Sequence, residues 1–138
     1  MGQMPDQVEN GAGAEEFSAV HDYVMRREHR IPMKLPEIDV DYSIFTPSSM
    51  PEGEQARVTG LLVRLKPGCW ITERMISHAG YDESCFLLQG ELELHLGTRV
   101  YTIRSGDSFY VPQDMLHNYL NISQEEAVCM VYFSKLIY

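Results

Sequence analysis

The stretch GDSFYVPQDMLHNYLN, residues 106–121, contains a glycine-aspartate turn, a short apolar run, a proline, one histidine and an asparagine four residues later. The apolar run and the residues from His117 onward have the Phe, Tyr and Val content of β-strands. A histidine that follows a proline turn at the start of a strand is either a hydrogen-bonded core residue or a metal ligand. The rest of the chain has to distinguish these two interpretations.

The region from residue 31 to the end consists of short apolar runs rich in Val, Ile, Tyr, Phe and Thr, separated by Pro or Gly. Such runs, at spacings of about 8–12 residues, predict an all-β sandwich or a closed barrel. Residues 91–103, ELELHLGTRVYTI, alternate polar and apolar side chains and turn near Gly97. This alternation puts His95 on a polar face with two glutamates, so we predict that it is solvated and not a ligand.

The composition restricts the class of protein. A chain of 138 residues suits one domain. Its 20 acidic and 11 basic residues give a net charge of −9, which argues against direct binding to nucleic acid. No apolar stretch long enough to cross a membrane and no signal peptide are visible, so we expect no membrane association. An odd number of widely spaced cysteines predicts free thiols and a cytoplasmic location.

Three segments differ in texture. Residues 1–16 are rich in Gly, Glu and Gln without apolar periodicity, and they are predicted to be a disordered tail or linker. Residues 17–54 are predicted to form N-terminal strands, or at first one or two helical turns, that pack on the barrel and on a dimer partner. Residues 55–138 are predicted to form the barrel core. The homodimer is expected because residues 21–36 hold too many apolar side chains for a solvated tail.

Two possible partners of His117 lie upstream in SHAGYDESCFLLQG, residues 77–90. Glu83 begins a predicted strand, and His78 precedes it across a turn at Gly80. Two histidines and one carboxylate on rigid strands form a common metal site with open coordination positions. The alternative is a polar network that binds no metal.

The two segments together resemble the two motifs of the cupin superfamily. The second motif, G-x5-P-x-G-x2-H-x3-N, corresponds to five positions, of which only the second glycine is replaced, by Asp114. The first motif, H-x-H-x3–4-E-x6-G, corresponds to four positions, of which only the first histidine is replaced, by Ile76. The matching residues are Gly106, Pro112, His117, Asn121, His78, Glu83 and Gly90. The resemblance implies a cupin, jelly-roll-like β-barrel of two antiparallel sheets.

The resemblance also implies roles for individual residues. His78, Glu83 and His117 correspond to the metal ligands of the family, which bind Fe, Mn, Ni or Zn, although Ile76 removes the fourth ligand and the metal could be absent. Asn121 corresponds to a residue that ties a turn. Asp114 is compatible with its position because Asp tolerates left-handed backbone geometry.

The pocket is predicted from strand parity with these ligands. Ile76 is expected at the wall of the site, and Arg74 shares its parity and could reach a carboxylate of a ligand. Tyr119 shares the parity of His117, and Cys85 shares that of Glu83. Surface exposure is the alternative for Arg74, and core filling is the alternative for Tyr119 and Cys85.

Two functions are compatible with such a site. The chain is similar, from about residue 20, to the sensor half of helix-turn-helix regulators of the Xre-cupin kind, but it lacks the DNA-binding half. This similarity implies a small-molecule-binding, metabolite-sensing module, and the chain could be a fragment of a longer regulator. The alternative is a metal-dependent cupin enzyme, such as a non-haem iron oxygenase or an isomerase or lyase. The fold does not separate the two.

Overall fold

The structure is a computed structural model that describes residues 20–34 and 40–137. Its regular elements are nine strands and two short 3₁₀ turns, and no α-helix occurs within the described ranges. The predicted tail, residues 1–16, lies outside the described residues. The strands are β1 Ile31–Lys34, β2 Val40–Ile44, β3 Thr59–Leu65, β4 Glu83–Gln89, β5 Glu91–Leu96, β6 Arg99–Arg104, β7 Ser108–Val111, β8 His117–Asn121 and β9 Ala127–Phe133.

The strands form two antiparallel sheets. The larger has six strands in the order β1-β2-β3-β9-β4-β7, and the smaller has three in the order β6-β5-β8. Neither sheet closes on itself. The all-β prediction with two antiparallel sheets is therefore confirmed. The predicted hairpin of residues 91–103 is also present, with Gly97 at a positive φ of 62° between β5 and β6.

The core lies between the two sheets, because alternate residues of each strand point inward. On β3 and β9 the inward pairs face each other across the ladder, with Leu61 opposite Val131 and Val63 opposite Cys129. The smaller sheet contributes Leu92 and Leu94, which are almost completely buried. Burying a side chain of this size stabilises the fold by about 1.5–3 kcal/mol.

An irregular segment, residues 69–78, extends the smaller sheet beyond β8. Ile71 donates its N–H to the carbonyl of Tyr119 at 2.9 Å, and Ile76 exchanges two backbone hydrogen bonds with His117. The chain takes five residue steps from Ile71 to Ile76, whereas β8 takes two steps between their partners. The three extra residues, 73–75, therefore bulge outward. We call residues 69–78 the wall segment. Strand parity does not hold across the bulge, which matters for the placement of Arg74.

Two motif positions have a backbone conformation that explains their residue type. Asp114 has a φ of 68°, which confirms that this aspartate adopts left-handed geometry. Gly90 has a φ of 95°, and a Cβ there would lie 2.9 Å from the Cα of Ala127. Gly90 is therefore required both by its conformation and by the close approach of β9.

Asn121 ties a turn, as predicted. Its Nδ2 donates to the carbonyls of Leu65 and Glu125, each at 2.9 Å, and its Oδ1 accepts from the N–H of Ser123 at 2.9 Å. The side chain is fully buried. It therefore connects the end of β8 to the end of β3 and to the turn before β9.

The N-terminal strands have more contacts within the chain than the sequence suggested. Ile31 and Met33 on β1 are buried in the core. Tyr23 and Val24 remain exposed, with 61% and 46% of their surface accessible. Only part of the apolar character of residues 21–36 is thus available for a partner. No helix in the described ranges has the length and apolar character that a membrane crossing requires.

Candidate metal centre

Three polar side chains are brought together from two sheets. Glu83 is the first residue of β4 in the larger sheet, and His78 lies on the loop just before it. His117 is the first residue of β8 in the smaller sheet, and its backbone pairs with Ile76. The N–H of Asp114 donates to the carbonyl of His78 at 2.9 Å and thereby joins the two loops.

The ligand atoms of this triad converge. The Nε2 atoms of His78 and His117 lie 2.9 Å and 3.1 Å from the same oxygen, Oε1 of Glu83. One ligand atom from each of the three residues lies within 4.8 Å of the others. All three side chains are buried, with 2–3% of their surface exposed. Such a set of N and O donors suits a divalent transition metal such as Fe, Mn, Ni or Zn.

The electrostatics of the triad are dominated by the carboxylate. Burial alone would raise the pKa of Glu83, but the hydrogen bonds and charges of His117 and His78 outweigh it and lower the pKa to about 2. Burial alone would lower the pKa of His117, but Glu83 outweighs it and raises that pKa above 6.5. Glu83 is therefore an anion at neutral pH, and the site attracts positive charge.

Whether a cation fits between the three residues depends on which ring nitrogen of each histidine carries the hydrogen. Nδ1 of His117 lies 3.0 Å from the carbonyl of Met115, which can only accept, so Nδ1 carries a hydrogen. In the neutral ring, Nε2 then presents a lone pair to the carboxylate of Glu83. This repulsion is removed either by a second proton on His117 or by a cation between the three residues.

The second histidine of the triad, His78, also turns its Nε2 toward Glu83. Its Nδ1 is buried and has no hydrogen-bond partner within the described part of the chain. In the metal-free site the hydrogen of the neutral His78 ring therefore lies on Nε2, which donates to Oε1 of Glu83. Because Nδ1 has no partner among the described residues, this hydrogen can move there when a cation binds Nε2. The donor set fits a divalent metal.

Besides its contact with Glu83, the ring of His78 is held in place by aromatic rings. The ring of Tyr81 stacks on it with centroids 4.8 Å apart, and Phe133 contacts it edge-on at 5.1 Å. Nζ of Lys135 lies 5.1 Å from the centroid of Tyr81 on this stack. Asp82 fixes the same loop by accepting hydrogen bonds from the hydroxyl of Tyr110 and the N–H of Gln113.

The second oxygen of Glu83 is held by Tyr119. The hydroxyl of Tyr119 donates to Oε2 at 3.2 Å, so Oε1 is left for the histidines. Tyr119 is itself buried and packs against Phe109. Tyr42 lines the same space, but its hydroxyl donates to the carbonyl of Ile71 at 3.0 Å. The two tyrosines therefore differ in whether they contact the triad.

The other predicted pocket residues are placed differently from one another. Ile76 and Tyr119 line the cavity beside the triad. Arg74 lies on the bulge of the wall segment, is exposed and does not line the cavity. Cys85 points inward but packs deeper in the core against Cys129, and burial followed by this contact raises the pKa of its thiol. His95 is half-exposed and bonds to Glu93 at 2.9 Å, away from the triad.

The cavity itself is narrow and has apolar walls. The cavity beside the triad has a volume of about 20 Å³. Its lining includes residues that the motifs did not indicate, and the inward alternation of β3 and β9 is the signal that could have found most of them. These residues are Tyr42, Leu61, Val63, Ile71, Thr72, Val131 and Phe133.

Comparisons with known proteins agree with this fold. A model of the Cupin domain matches residues 61–133, more than half of the chain. The polyketide synthase CurC of Streptomyces cyaneus is 28% identical over 94 residues, which cover 68% of this chain and 58% of that protein. The chain therefore spans less than two thirds of the length of this curated relative.

Two solved structures show the same architecture. KdgF from Halomonas sp. superimposes with a TM-score of 0.63 at 14% identity, covering 81% of this chain and 93% of that one. An RmlC-like cupin from Shewanella frigidimarina NCIMB 400 gives a TM-score of 0.63 at 12% identity, covering 81% and 89%. At such identities the likeness concerns the fold alone. With the family model matching both motif regions, the chain belongs to the cupin domain family.

Proposed function

We propose that this cupin domain binds a divalent transition metal through His78, Glu83 and His117, and holds a small molecule against that metal. The observation that carries the proposal is the convergence of both Nε2 atoms on Oε1 of Glu83. Glu83 is charged, and unless His117 takes up a second proton, the lone pair of its Nε2 faces that charge. A cation replaces this repulsion with two attractive contacts.

Three protein ligands leave coordination positions for a small molecule. When bound, the metal would act as a Lewis acid that polarises an oxygen of the ligand. The apolar walls keep most water away from that ligand, and Tyr119 holds the carboxylate of Glu83 in its orientation toward the metal. Binding of a small molecule in this way, as in the sensor half of a regulator, is the function we favour.

A metal-dependent enzyme is the second candidate. It is favoured by the open positions of the triad and by the name of the curated relative, a polyketide synthase. Among the described residues near the triad, Tyr119 offers a hydroxyl, but this hydroxyl already bonds to Glu83. We therefore place binding before catalysis.

Metal content tests the proposal. The protein is purified after growth with supplemented Fe, Mn, Ni and Zn, and the metal per chain is measured by elemental analysis. We expect close to one metal per chain, and its loss in His117→Ala. His95→Ala is the matched control, since His95 also bonds to a glutamate but lies outside the triad. Equal metal content in the two variants, or none in the unsubstituted protein, would contradict the proposal.

A further inference from the structure

The walls of the cavity beside the triad are built from hydrocarbon. Alternate residues of β3 and β9 point into it, and the wall segment adds two more. All of these side chains are buried, with at most 9% of their surface exposed. They are Leu61, Val63, Val131, Phe133, Ile71 and Ile76. A ligand in this cavity therefore exchanges water for apolar contacts over most of its surface.

The few hydroxyl groups of the lining are already occupied. Tyr119 donates to Glu83, Tyr42 donates to the carbonyl of Ile71, and Thr72 donates to the carbonyl of Arg74 at 2.8 Å. Each hydroxyl hydrogen thus has an acceptor inside the protein. A ligand has no free hydroxyl donor to use unless one of these bonds breaks.

The described lining of the cavity contains no Lys or Arg. The two neutral imidazoles and the carboxylate of Glu83 together carry one negative charge, so a divalent cation leaves the centre with one positive charge. One negative charge on a ligand is then balanced, and a second would be buried without a partner, which is costly.

The available space limits the ligand further. The cavity volume of about 20 Å³ leaves room for little more than one water beside the triad. Among the described residues of the lining, those outside the regular strands all belong to the wall segment, which joins β8 through the bridges of Trp70 and Ile76. Any ligand larger than one water, including the smallest organic anions, must therefore displace this segment on entry.

We infer that the ligand of this site is a small monoanion with a metal-binding oxygen at one end and hydrocarbon at the other, such as a short-chain aliphatic carboxylate. This inference rests on the proposed function, because the charge balance includes the metal. It excludes phosphate esters and dicarboxylates as ligands, since their second negative charge would exceed the single positive charge of the metal centre inside apolar walls.

A pair of probes of similar size tests the inference. Zinc-loaded protein is titrated calorimetrically with isobutyrate and with malonate, and bound zinc is measured after each titration. Malonate chelates divalent metals better in water, so a simple metal site would prefer it. We expect the reverse order, with isobutyrate bound at least about tenfold more tightly, because malonate buries an unpaired charge.

A wall variant provides a second readout. Ile76→Ala should improve binding of cyclohexanecarboxylate relative to isobutyrate by about tenfold, because it removes apolar atoms beside the triad. Val100→Ala, an exposed β6 position, should leave this ratio unchanged. Zinc-loaded protein that prefers malonate, or that binds neither probe, overturns this inference alone. Protein that retains no zinc overturns both this inference and the proposed function.

Discussion

The hydroxyl of Tyr119 should be worth one to two orders of magnitude in metal affinity. Tyr119→Phe removes one oxygen atom and keeps the ring that packs against Phe109. The lost hydrogen bond is the one that holds Oε2 of Glu83 at 3.2 Å while Oε1 faces the histidines. Loss of such an outer partner of a metal ligand costs about 10–100-fold in affinity, or roughly 1.4–2.7 kcal/mol.

The expected loss in affinity agrees with the strength of the hydrogen bond between Tyr119 and Glu83. A hydrogen bond to a charged group contributes about 1.5–3 kcal/mol. Part of this is lost in the metal-free protein too, because Oε2 is also buried there. The loss in metal affinity is the difference between the metal-bound and the metal-free protein. It arises because the carboxylate of Glu83 rotates more freely when the hydroxyl of Tyr119 is absent.

Competition with a chromophoric chelator measures the affinity, using zinc. Tyr42→Phe is the matched control, since it also removes a buried hydroxyl from the cavity but one that bonds to the backbone of Ile71. We expect Tyr119→Phe to bind zinc about 10–100-fold more weakly and Tyr42→Phe to bind it within about threefold of the unsubstituted protein. Equal affinities for the two variants would refute the positioning role of Tyr119.

Three further outcomes are expected. Asn121→Ala should lower the free energy of unfolding by about 3 kcal/mol, because it removes two hydrogen bonds to carbonyls and one from an N–H, and an unchanged urea midpoint would contradict this. In the metal-free protein, the lowered pKa of Glu83 means that its ionised form stabilises the fold above pH 4.5, and this stabilisation is lost as the pH falls toward 2. The raised pKa of His117 means that its protonated form stabilises the fold below pH 6.5, and this stabilisation is lost as the pH rises above the pKa of the folded state. The triad should thus contribute most to the stability of the fold between about pH 4.5 and 6.5. In Glu83→Gln the urea midpoint should depend less on pH than in the unsubstituted protein. We predict that the chain forms a dimer. Removal of residues 1–36 should weaken the dimer and destabilise the fold, because it deletes β1, whereas removal of residues 1–14 should change neither. Sedimentation measures the dimer and urea titration measures the stability.

The sequence predicted the parts of the molecule in which residue type and spacing are imposed by local geometry. Gly90 and Asp114 occupy left-handed positions, and Asn121 satisfies the carbonyls of a turn. These requirements act within a few residues and are visible in the motifs. The same spacing identified the side chains that converge at the centre, His78, Glu83 and His117, because each begins or precedes a strand.

The remainder of the cavity depends on how distant segments meet. Arg74 was expected to share a face with Ile76, but three extra residues on the wall segment bulge outward and expose it. Tyr42 lies far from both motifs, and its place in the lining follows from the pairing of β2 with β3. Such contacts are set by sheet order and register, which neither periodicity nor composition determines.

The position of the triad between the sheets has a consequence for unfolding. Glu83 begins a strand of the larger sheet and His78 ends the wall segment, while His117 begins a strand of the smaller sheet, 34 residues beyond Glu83. A cation held by all three would act as a crosslink that closes this loop, much as a disulfide does. At a free concentration 100 times its dissociation constant it would add about 2.7 kcal/mol to the stability. The sheets could then separate only after the cation dissociates, so the lifetime of the folded domain would be set by the same three side chains that bind the ligand.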